Sequence, residues 1–196
     1  MDAKSLVRDI LRESIDAKEK FLSSDKNVSI VARAAEAIAE AYDHGRKVVV
    51  FGNGGSAADS QHMAAELVVR FEKERRALPC ICLASDCSAI TATGNDYDFS
   101  RIFSRQIEAF GEEGDVAVAI STSGKSPNII EAVRSAKNRK MVTIALTGGT
   151  GGELAGMCDM PIVVPSRVTG RIQEVHSAVI HIICKIVEEM AGDVHR

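Results

Sequence analysis

The sequence is poor in the residues that nucleic-acid and membrane proteins need. Its 196 residues include no tryptophan, and aromatic residues make up only 4% of the chain, which argues against the stacking platforms that bind single-stranded nucleic acids. The formal net charge of −3 leaves no basic footprint for nucleic acid. No apolar stretch approaches the roughly 20 residues of a transmembrane helix. We therefore expect neither a nucleic-acid nor a membrane partner.

The cysteines indicate a reducing compartment. There are five of them and no C-x-x-C pair, and an odd number without a secretory signal is typical of reduced, intracellular thiols. Charged residues at Asp2, Lys4, Arg8 and Asp9 interrupt the N-terminus, as they would not in a signal peptide. The sequence thus predicts a cytoplasmic protein whose cysteines serve as small buried hydrophobic residues.

Hydrophobic periodicity predicts two N-terminal helices and then alternating strands and helices. The predicted strands are Lys47–Phe51, Cys80–Leu83, Asp115–Ile120, Met141–Leu146 and Met160–Val163. The predicted helices are Ala3–Leu22, Val28–Asp43, Ala57–Phe71, Ala89–Gly94, Phe99–Phe110, Asn128–Asn138 and Arg171–Met190, with a turn at 148–152. Such alternation is typical of parallel sheets with helices on both faces. We predict one α/β domain over 1–196, a three-layer, doubly wound sheet of five parallel strands. Residues 1–45 form its helical extension and 46–196 its core with the C-terminal helix.

Two loops of small residues each follow a predicted strand and open a helix. The first is Gly52-Asn53-Gly54-Gly55-Ser56, and the second runs from Ser121 to Ser126. Free backbone N–H groups and the positive end of a helix dipole make such loops anion sites. In parallel sheets, ligands bind at the carboxyl ends of the strands, where both loops fall. The loops predict a phosphorylated small-molecule ligand.

Individual residues of the loops have distinct predicted roles. We expect Ser56 to be the N-cap of its helix and Asn53 to offer its amide to ligand hydroxyls. In the second loop, Pro127 fits the first helical position and makes Ser126 the N-cap. Two alternatives remain. The loops could be ordinary turns, or the first loop, which matches G-x-G-x-x-A, could bind a nicotinamide dinucleotide. The second alternative needs a ribose-binding acid at the end of the next strand, whereas Glu72 and Glu74 precede that strand.

A histidine and a glutamate share one face of the helix after the first loop, because His62 and Glu66 are four residues apart. The spacing alone is also compatible with an ordinary exposed pair. On the last helix, Gln173 and His181 lie about 80° apart around the axis. His176 fits equally well, so periodicity does not choose between the two histidines.

Taken together, these motifs resemble those of the sugar isomerase (SIS) domain, and within it those of the phosphoheptose isomerases. The similar stretches include G-N-G-G-S at 52–56, S-T-S-G-K-S at 121–126 and R-I-Q-E-V-H at 171–176. The resemblance implies the flavodoxin-like SIS fold and an aldose–ketose isomerase that converts sedoheptulose 7-phosphate to D-glycero-D-manno-heptose 7-phosphate for the lipopolysaccharide core. It also implies a homotetramer with the terminal helices at its interfaces.

The resemblance assigns roles to particular residues. It implies Glu66 and His181 as the acid–base pair of an enediol mechanism. It implies one zinc ion per subunit, held by His62, Glu66, Gln173 and His181. The residues that it implies in substrate binding are Asn53, Gly54, Gly55, Ser56, Glu66, Asn95, Asp96, Ser121, Thr122, Ser123, Ser126 and Gln173. A zinc-bound carboxylate is a poorer base, so the sequence leaves open whether Glu66 is a base or a ligand.

Two other functions compete with the isomerase. A sister branch of the family lacks the chemistry and binds the bacterial replication initiator, and the resemblance implies that it lacks the glutamate and the last-helix histidine present here. A sugar-phosphate-sensing regulator would need a DNA-binding extension that is not recognisable.

Gly170 departs from the family pattern, because some phosphoheptose isomerases carry an aspartate at this position. We expect Arg70, Arg75 and Arg76 at the solvated surface rather than on a ligand.

Overall fold

The computed structural model describes residues 2–191, and its elements confirm the predicted fold class. The strands are β1 Val48–Gly52, β2 Cys80–Cys82, β3 Val116–Ser121, β4 Val142–Gly148 and β5 Met160–Val164. The α-helices are α1 Ala3–Leu22, α2 Asp25–Asp43, α3 Gly55–Val68, α4 Cys87–Asp96, α5 Ser104–Phe110, α6 Pro127–Asn138, α7 Gly152–Met157 and α8 Thr169–Met190. A 3₁₀ turn covers Phe99–Arg101. The assignment of all 196 residues to one domain stays a prediction.

The five strands form one parallel sheet in the order β2-β1-β3-β4-β5. The chain runs outward in both directions from β1 and β3, so these neighbours flank the point where the strand order reverses. Ligands of doubly wound sheets bind outside the carboxyl ends of the strands at that point. Gly52 pairs with Ile120 at the ends of β1 and β3, so the sheet register itself brings the two predicted anion loops side by side.

The strands are covered on both faces, as their continuous apolar runs predict. All residues of β1 and β3 are buried. Alternate residues divide between two cores: Val48 and Val50 pack with residues of α2, α3 and α8, whereas Val49 and Phe51 pack with residues of α5 and α6. The sheet therefore fixes α3 and α8 on the same face.

The N-terminal extension packs on the core to different depths. α2 lies against α8 and β5, with Ala34, Ala35 and Ile38 fully buried. α1 buries only Ser14, Ala17 and Phe21. Its remaining large apolar residues, which are Leu6, Val7, Ile10, Leu11, Ile15 and Leu22, stay at least 40% exposed. Within residues 2–191, none of the helices combines the length and the apolar character that crossing a bilayer requires.

Two predicted elements differ in kind from the structure, whereas the ends of the others differ by at most three residues. The predicted helix Phe99–Phe110 is interrupted after the 3₁₀ turn, where Arg101 Nε donates to the buried Ser104 hydroxyl (3.1 Å). The predicted turn at 148–152 continues into α7, because the fully buried Leu154 and its N–H bond to the Gly124 carbonyl (3.1 Å) hold a helical turn there. Of the cysteines, which were predicted to be buried, only Cys158 and Cys184 are; Cys80 and Cys82 are partly buried and Cys87 is exposed.

Candidate active site

The loop between β1 and α3 turns tightly around glycines. A Cβ atom on Gly52 would lie 2.5 Å from the Ser56 carbonyl oxygen, so only glycine fits there. Gly54 has φ +57° and is the N-cap of α3. The prediction that Ser56 caps this helix is therefore wrong: the left-handed Gly54 starts the helix two residues earlier and Ser56 lies buried in its first turn. Gly54 and Gly55 are exposed, which leaves their backbone accessible to a ligand.

The loop after β3 folds back on itself. Ser126 is the N-cap of α6 with Pro127 following it, as predicted, but its hydroxyl makes no capping bond and instead lies 3.4 Å from Ser121 Oγ. Gly124, at φ +62°, donates its N–H to Ser121. Of the predicted phosphate contacts, Ser123 is exposed and Thr122 partly so. Their hydroxyls therefore border open space.

A pair of amides joins the two loops. Asn53 Nδ2 donates to Asn128 Oδ1 (2.9 Å), and Asn128 Nδ2 donates to Asn53 Oδ1 (2.8 Å). The side-chain oxygen of Asn53 thus has a partner within the protein, which no sequence pattern indicated. One N–H of the Asn53 amide, which is partly exposed, remains for a ligand.

Helices α3 and α8 run side by side in the same direction. A Cβ atom on Gly55 would meet Gln173 Nε2 at 2.3 Å, Asp59 Oδ1 accepts from the Ser177 hydroxyl (3.0 Å), and His62 contacts His181. Successive pairs advance by about one turn along both helices. This register brings residues more than a hundred positions apart in the sequence to one surface.

His62, Glu66 and His181 converge on this surface. His62 Nε2 lies 2.9 Å from His181 Nε2 and 3.1 Å from Glu66 Oε1. One ligand atom from each of the three residues lies within 4.8 Å of the others. The two imidazoles are exposed and Glu66 is partly buried, while the Phe71 ring packs against His181 at 5.5 Å between centroids. The carboxylate and both imidazoles can therefore act on one bound molecule or ion.

The chemistry of this donor set suits zinc. Two imidazole nitrogens and a carboxylate are usual Zn²⁺ ligands, and ligand atoms of a tetrahedral zinc site are about 3.3 Å apart, close to the separations found here. Gln173, the fourth predicted ligand, lies against Gly55, about 12 Å along the helix axis from His181. Its role as a ligand stays a prediction.

The structure separates the two histidines that periodicity could not. His176 is fully buried, and its Nε2 lies 3.1 Å from the Thr147 carbonyl oxygen, to which it donates. Burial lowers the pKa of His176 to about 4, although the hydrogen bond to Thr147 opposes this. His176 is therefore a neutral core residue, and His181 is the histidine that faces His62.

Sequence reasoning missed Asp59 as a site residue. Its Oδ2 is buried without a hydrogen-bond partner among the described residues. Burial raises the pKa of this carboxyl group above its usual value, against the Ser177 hydrogen bond and the nearby His62. A signal was present in the sequence, because positions 59, 62 and 66 lie on one face of a helix.

The remaining predicted residues lie outside the set of His62, Glu66 and His181. Asn95 and Asp96 are exposed at the end of α4, where Asn95 Nδ2 donates to Asp96 Oδ1 (2.8 Å); their contact with a sugar stays a prediction. Arg70 and Arg76 are exposed as expected. Arg75 is not: it is 5% exposed and lies in an ion pair with Glu188, so the prediction of a surface arginine is wrong there.

Comparisons with known proteins identify the family of the chain. A family model described as SIS domain matches residues 13–148. The phosphoheptose isomerase of Clostridium acetobutylicum is 47% identical over 97% of each chain, and one from Campylobacter jejuni is 52% identical over 81% of this chain and 86% of its own. The structure of a phosphoheptose isomerase from Francisella tularensis matches with a TM-score of 0.92 at 39% identity, covering 96% of this chain and 100% of that one.

A second solved structure, the phosphoheptose isomerase from Neisseria gonorrhoeae, has a TM-score of 0.89 and 42% identity over 95% of this chain and 98% of its own. These relatives give no support to the replication-initiator alternative. At this identity over nearly the whole chain, the protein is an isomerase that belongs to the SIS domain family and, within it, to the phosphoheptose isomerases.

Proposed function

We propose that the protein converts sedoheptulose 7-phosphate to D-glycero-D-manno-heptose 7-phosphate in the cytoplasm, for the lipopolysaccharide core. The observation that carries the proposal is the convergence of Glu66, His62 and His181 beside two N–H-rich loops at the carboxyl edge of the sheet. The names of the relatives supply the heptose phosphate. A sugar anchored by its phosphate in the loops would present its other end to the cluster.

The second loop is our candidate for the phosphate site. A cavity beside it is lined by Thr122, Ser123, Lys125, Gly148 and Arg167. Hydroxyl groups, backbone N–H groups and the start of α6 suit a phosphate dianion, and the two cations add local positive charge to a protein that is slightly acidic overall. Ser56, Ser121 and Ser126 complete the proposed set, with Asn53, Gly54, Gly55, Asn95 and Asp96 facing the sugar.

The proposed chemistry moves one proton between two neighbouring carbons. Glu66 takes the proton from C1 of the ketose while His181 protonates the C2 carbonyl oxygen, which gives an enediol. Glu66 then returns its proton to C2, and His181 takes the proton of the C1 hydroxyl, so that the carbonyl forms at C1. The contact between His62 Nε2 and Glu66 Oε1 (3.1 Å) holds the Glu66 carboxylate beside the two imidazoles.

We further propose one zinc ion per subunit, held by His62, Glu66, His181 and Gln173. When bound, zinc polarises the carbonyl and the neighbouring hydroxyl as a Lewis acid. If Glu66 stays on the metal, the base must be His181 or a residue beside it. Asp59 is the nearby carboxyl group with a raised pKa.

We propose a homotetramer with α1 at its interfaces. The exposed apolar residues of α1 adjoin a groove between α1, α2 and α8 that is lined by Ile15, Phe21, Val28, Val175 and Ile182, among others. A second copy of the chain would cover this apolar surface.

The test is direct turnover. Purified protein with Zn²⁺ and sedoheptulose 7-phosphate should form the aldose, which NMR detects through its C1 proton. Removal of the metal with a chelator should abolish turnover, and added Zn²⁺ should restore it. Absence of aldose with Zn²⁺ present would refute the proposed substrate, and unchanged turnover after complete metal removal would refute the zinc.

A further inference from the structure

A buried ion pair lies behind the candidate active site, where α3 ends beside α8. Arg75 Nε is 3.4 Å from Glu188 Oε1, and the two side chains are 1% and 0% exposed. Charges buried this completely are costly unless other groups also satisfy them. The other hydrogen bonds of the two side chains therefore identify the segments that the ion pair connects.

Arg75 closes the carboxyl end of the helix that carries His62 and Glu66. Its Nη2 donates to the Glu66 carbonyl oxygen (2.6 Å), and its Nη1 donates to the Leu67 carbonyl oxygen (2.9 Å). The last carbonyl groups of a helix have no partner within it and carry the negative end of its dipole. The guanidinium thus satisfies the final turn of α3 at Glu66 itself.

Glu188 fixes the segment that follows this helix. Its carboxylate accepts the backbone N–H groups of Phe71 (2.9 Å), Glu72 (2.8 Å) and Lys73 (2.9 Å). Phe71 is the residue whose ring packs on His181. Glu188 lies two turns after His181 on α8, so a single carboxylate ties the segment that supports His181 to the helix that carries it.

We propose that the Arg75–Glu188 pair positions Glu66 and His181 for catalysis, Arg75 through the main chain of Glu66 and Glu188 through Phe71. The proposal rests on the function proposed above. The planar guanidinium donates in several directions at once, which an ammonium group on a flexible stem does not reproduce. Neither residue touches the substrate, so both are positioning residues.

A matched control exists at the opposite end of the sheet. Asp115 is also fully buried, accepts backbone N–H groups from Lys47 (3.0 Å) and Glu112 (2.9 Å), and pairs with Lys47 Nζ (2.7 Å). It precedes β3, about 20 Å from the carboxyl edge at the rise of a strand. Asp115→Asn therefore removes a buried charge of the same kind without reaching the active site.

The experiment compares Glu188→Gln with Asp115→Asn and wild type. We expect kcat of Glu188→Gln to fall by about 10- to 100-fold with KM changed less than about threefold, because small misplacements of catalytic groups cost that much. Asp115→Asn should keep kcat within about twofold at a similar loss in urea midpoint. Arg75→Lys, the milder variant, should show the same split between kcat and KM, and it replaces Glu188→Gln if that variant does not fold.

A second measurement needs neither substrate nor metal. Amide hydrogen exchange of Leu67–Val69 should be at least about tenfold faster in Glu188→Gln than in Asp115→Asn, since the last turn of α3 loses its anchor. Equal kcat values, or equal exchange rates, in the two variants would overturn the proposal. If the wild type shows no turnover, the proposed function fails on its own, and the exchange rates still decide whether the pair orders the end of α3.

Discussion

At the scale of single residues, burial decides the roles of chemically identical side chains. His176 and His181 are five positions apart on α8, yet His176 is fully buried against the Thr147 carbonyl and His181 is exposed opposite His62. Sequence periodicity predicted the shared face of His62 and Glu66, because both lie on one helix. It could not separate the two histidines of α8, since that depends on which side of the helix faces the sheet.

Acid should destabilise the protein partly through His176. Its pKa of about 4 in the folded state lies below the usual 6.5, so the unfolded chain takes up the proton first. This cost is absent above pH 6.5 and grows as the pH falls from 6.5 to about 4. Between pH 7 and pH 5, wild type should lose about 2 kcal/mol more unfolding free energy than His176→Gln, which keeps a donor for Thr147.

Urea unfolding of both proteins at pH 7 and pH 5, at one protein concentration, measures this difference. The contributions of His62 and His181 cancel because both proteins contain them. An equal loss of unfolding free energy in the two proteins would show that His176 titrates normally in the fold.

At the scale of elements, the loops were predicted but their packing on one another was not. The apolar runs predicted every strand to within two residues, because strands covered on both faces must be apolar throughout. The close contact between the loop after β3 and the segment after β4 has no such signature. It depends on backbone meeting backbone, since a Cβ atom on Gly124 would lie 2.0 Å from the Gly151 carbonyl oxygen.

Gly124→Ala should therefore disturb the phosphate loop. Its φ of +62° disfavours alanine and the Gly151 backbone leaves no room, so we expect a loss of about 2–5 kcal/mol in unfolding free energy. The KM for sugar phosphate should rise at least about tenfold at temperatures where the variant is folded. Chemical denaturation and steady-state kinetics measure the two effects.

Gly156→Ala is the matched control for that substitution. Gly156 lies in α7 with open space around its Cβ position and no positive φ, so alanine should be neutral or stabilising by up to about 1 kcal/mol. A Gly124→Ala protein that is as stable and as tightly binding as Gly156→Ala would contradict the role of this contact.

At the scale of the whole molecule, the sheet order explains why the two loops meet. Alternating strands and helices predicted that both loops lie at the carboxyl ends of parallel strands, but not the order of those strands. The active-site cluster was less predictable, because it requires the register between α3 and α8, two helices more than a hundred residues apart. That register follows from how both helices pack on the same face of the sheet. His181 and Gln173 were predicted as site residues from the family resemblance, because helix spacing alone did not select them.

The exposed apolar face of α1 provides a test of the proposed tetramer. Leu11 is 58% exposed on a helix that buries little of its own apolar surface. If copies of the chain cover this face, Leu11→Asp should shift the protein from a tetramer towards smaller species in sedimentation velocity. Ser5→Asp, which adds the same charge on the opposite face of α1, should not. A monomeric wild type would refute the tetramer, and an unchanged Leu11→Asp tetramer would remove α1 from its interface.

The central claim is that Glu66 and His181 together isomerise a sugar phosphate. The most direct measurement is kcat for sedoheptulose 7-phosphate with zinc supplied, for wild type, Glu66→Gln and His181→Gln side by side, with folding of each variant checked by urea unfolding. We predict turnover by wild type and a loss of at least about 100-fold in each folded variant, the usual scale of general acid–base catalysis. Turnover within a few-fold of wild type in either folded variant would contradict the claim for that residue.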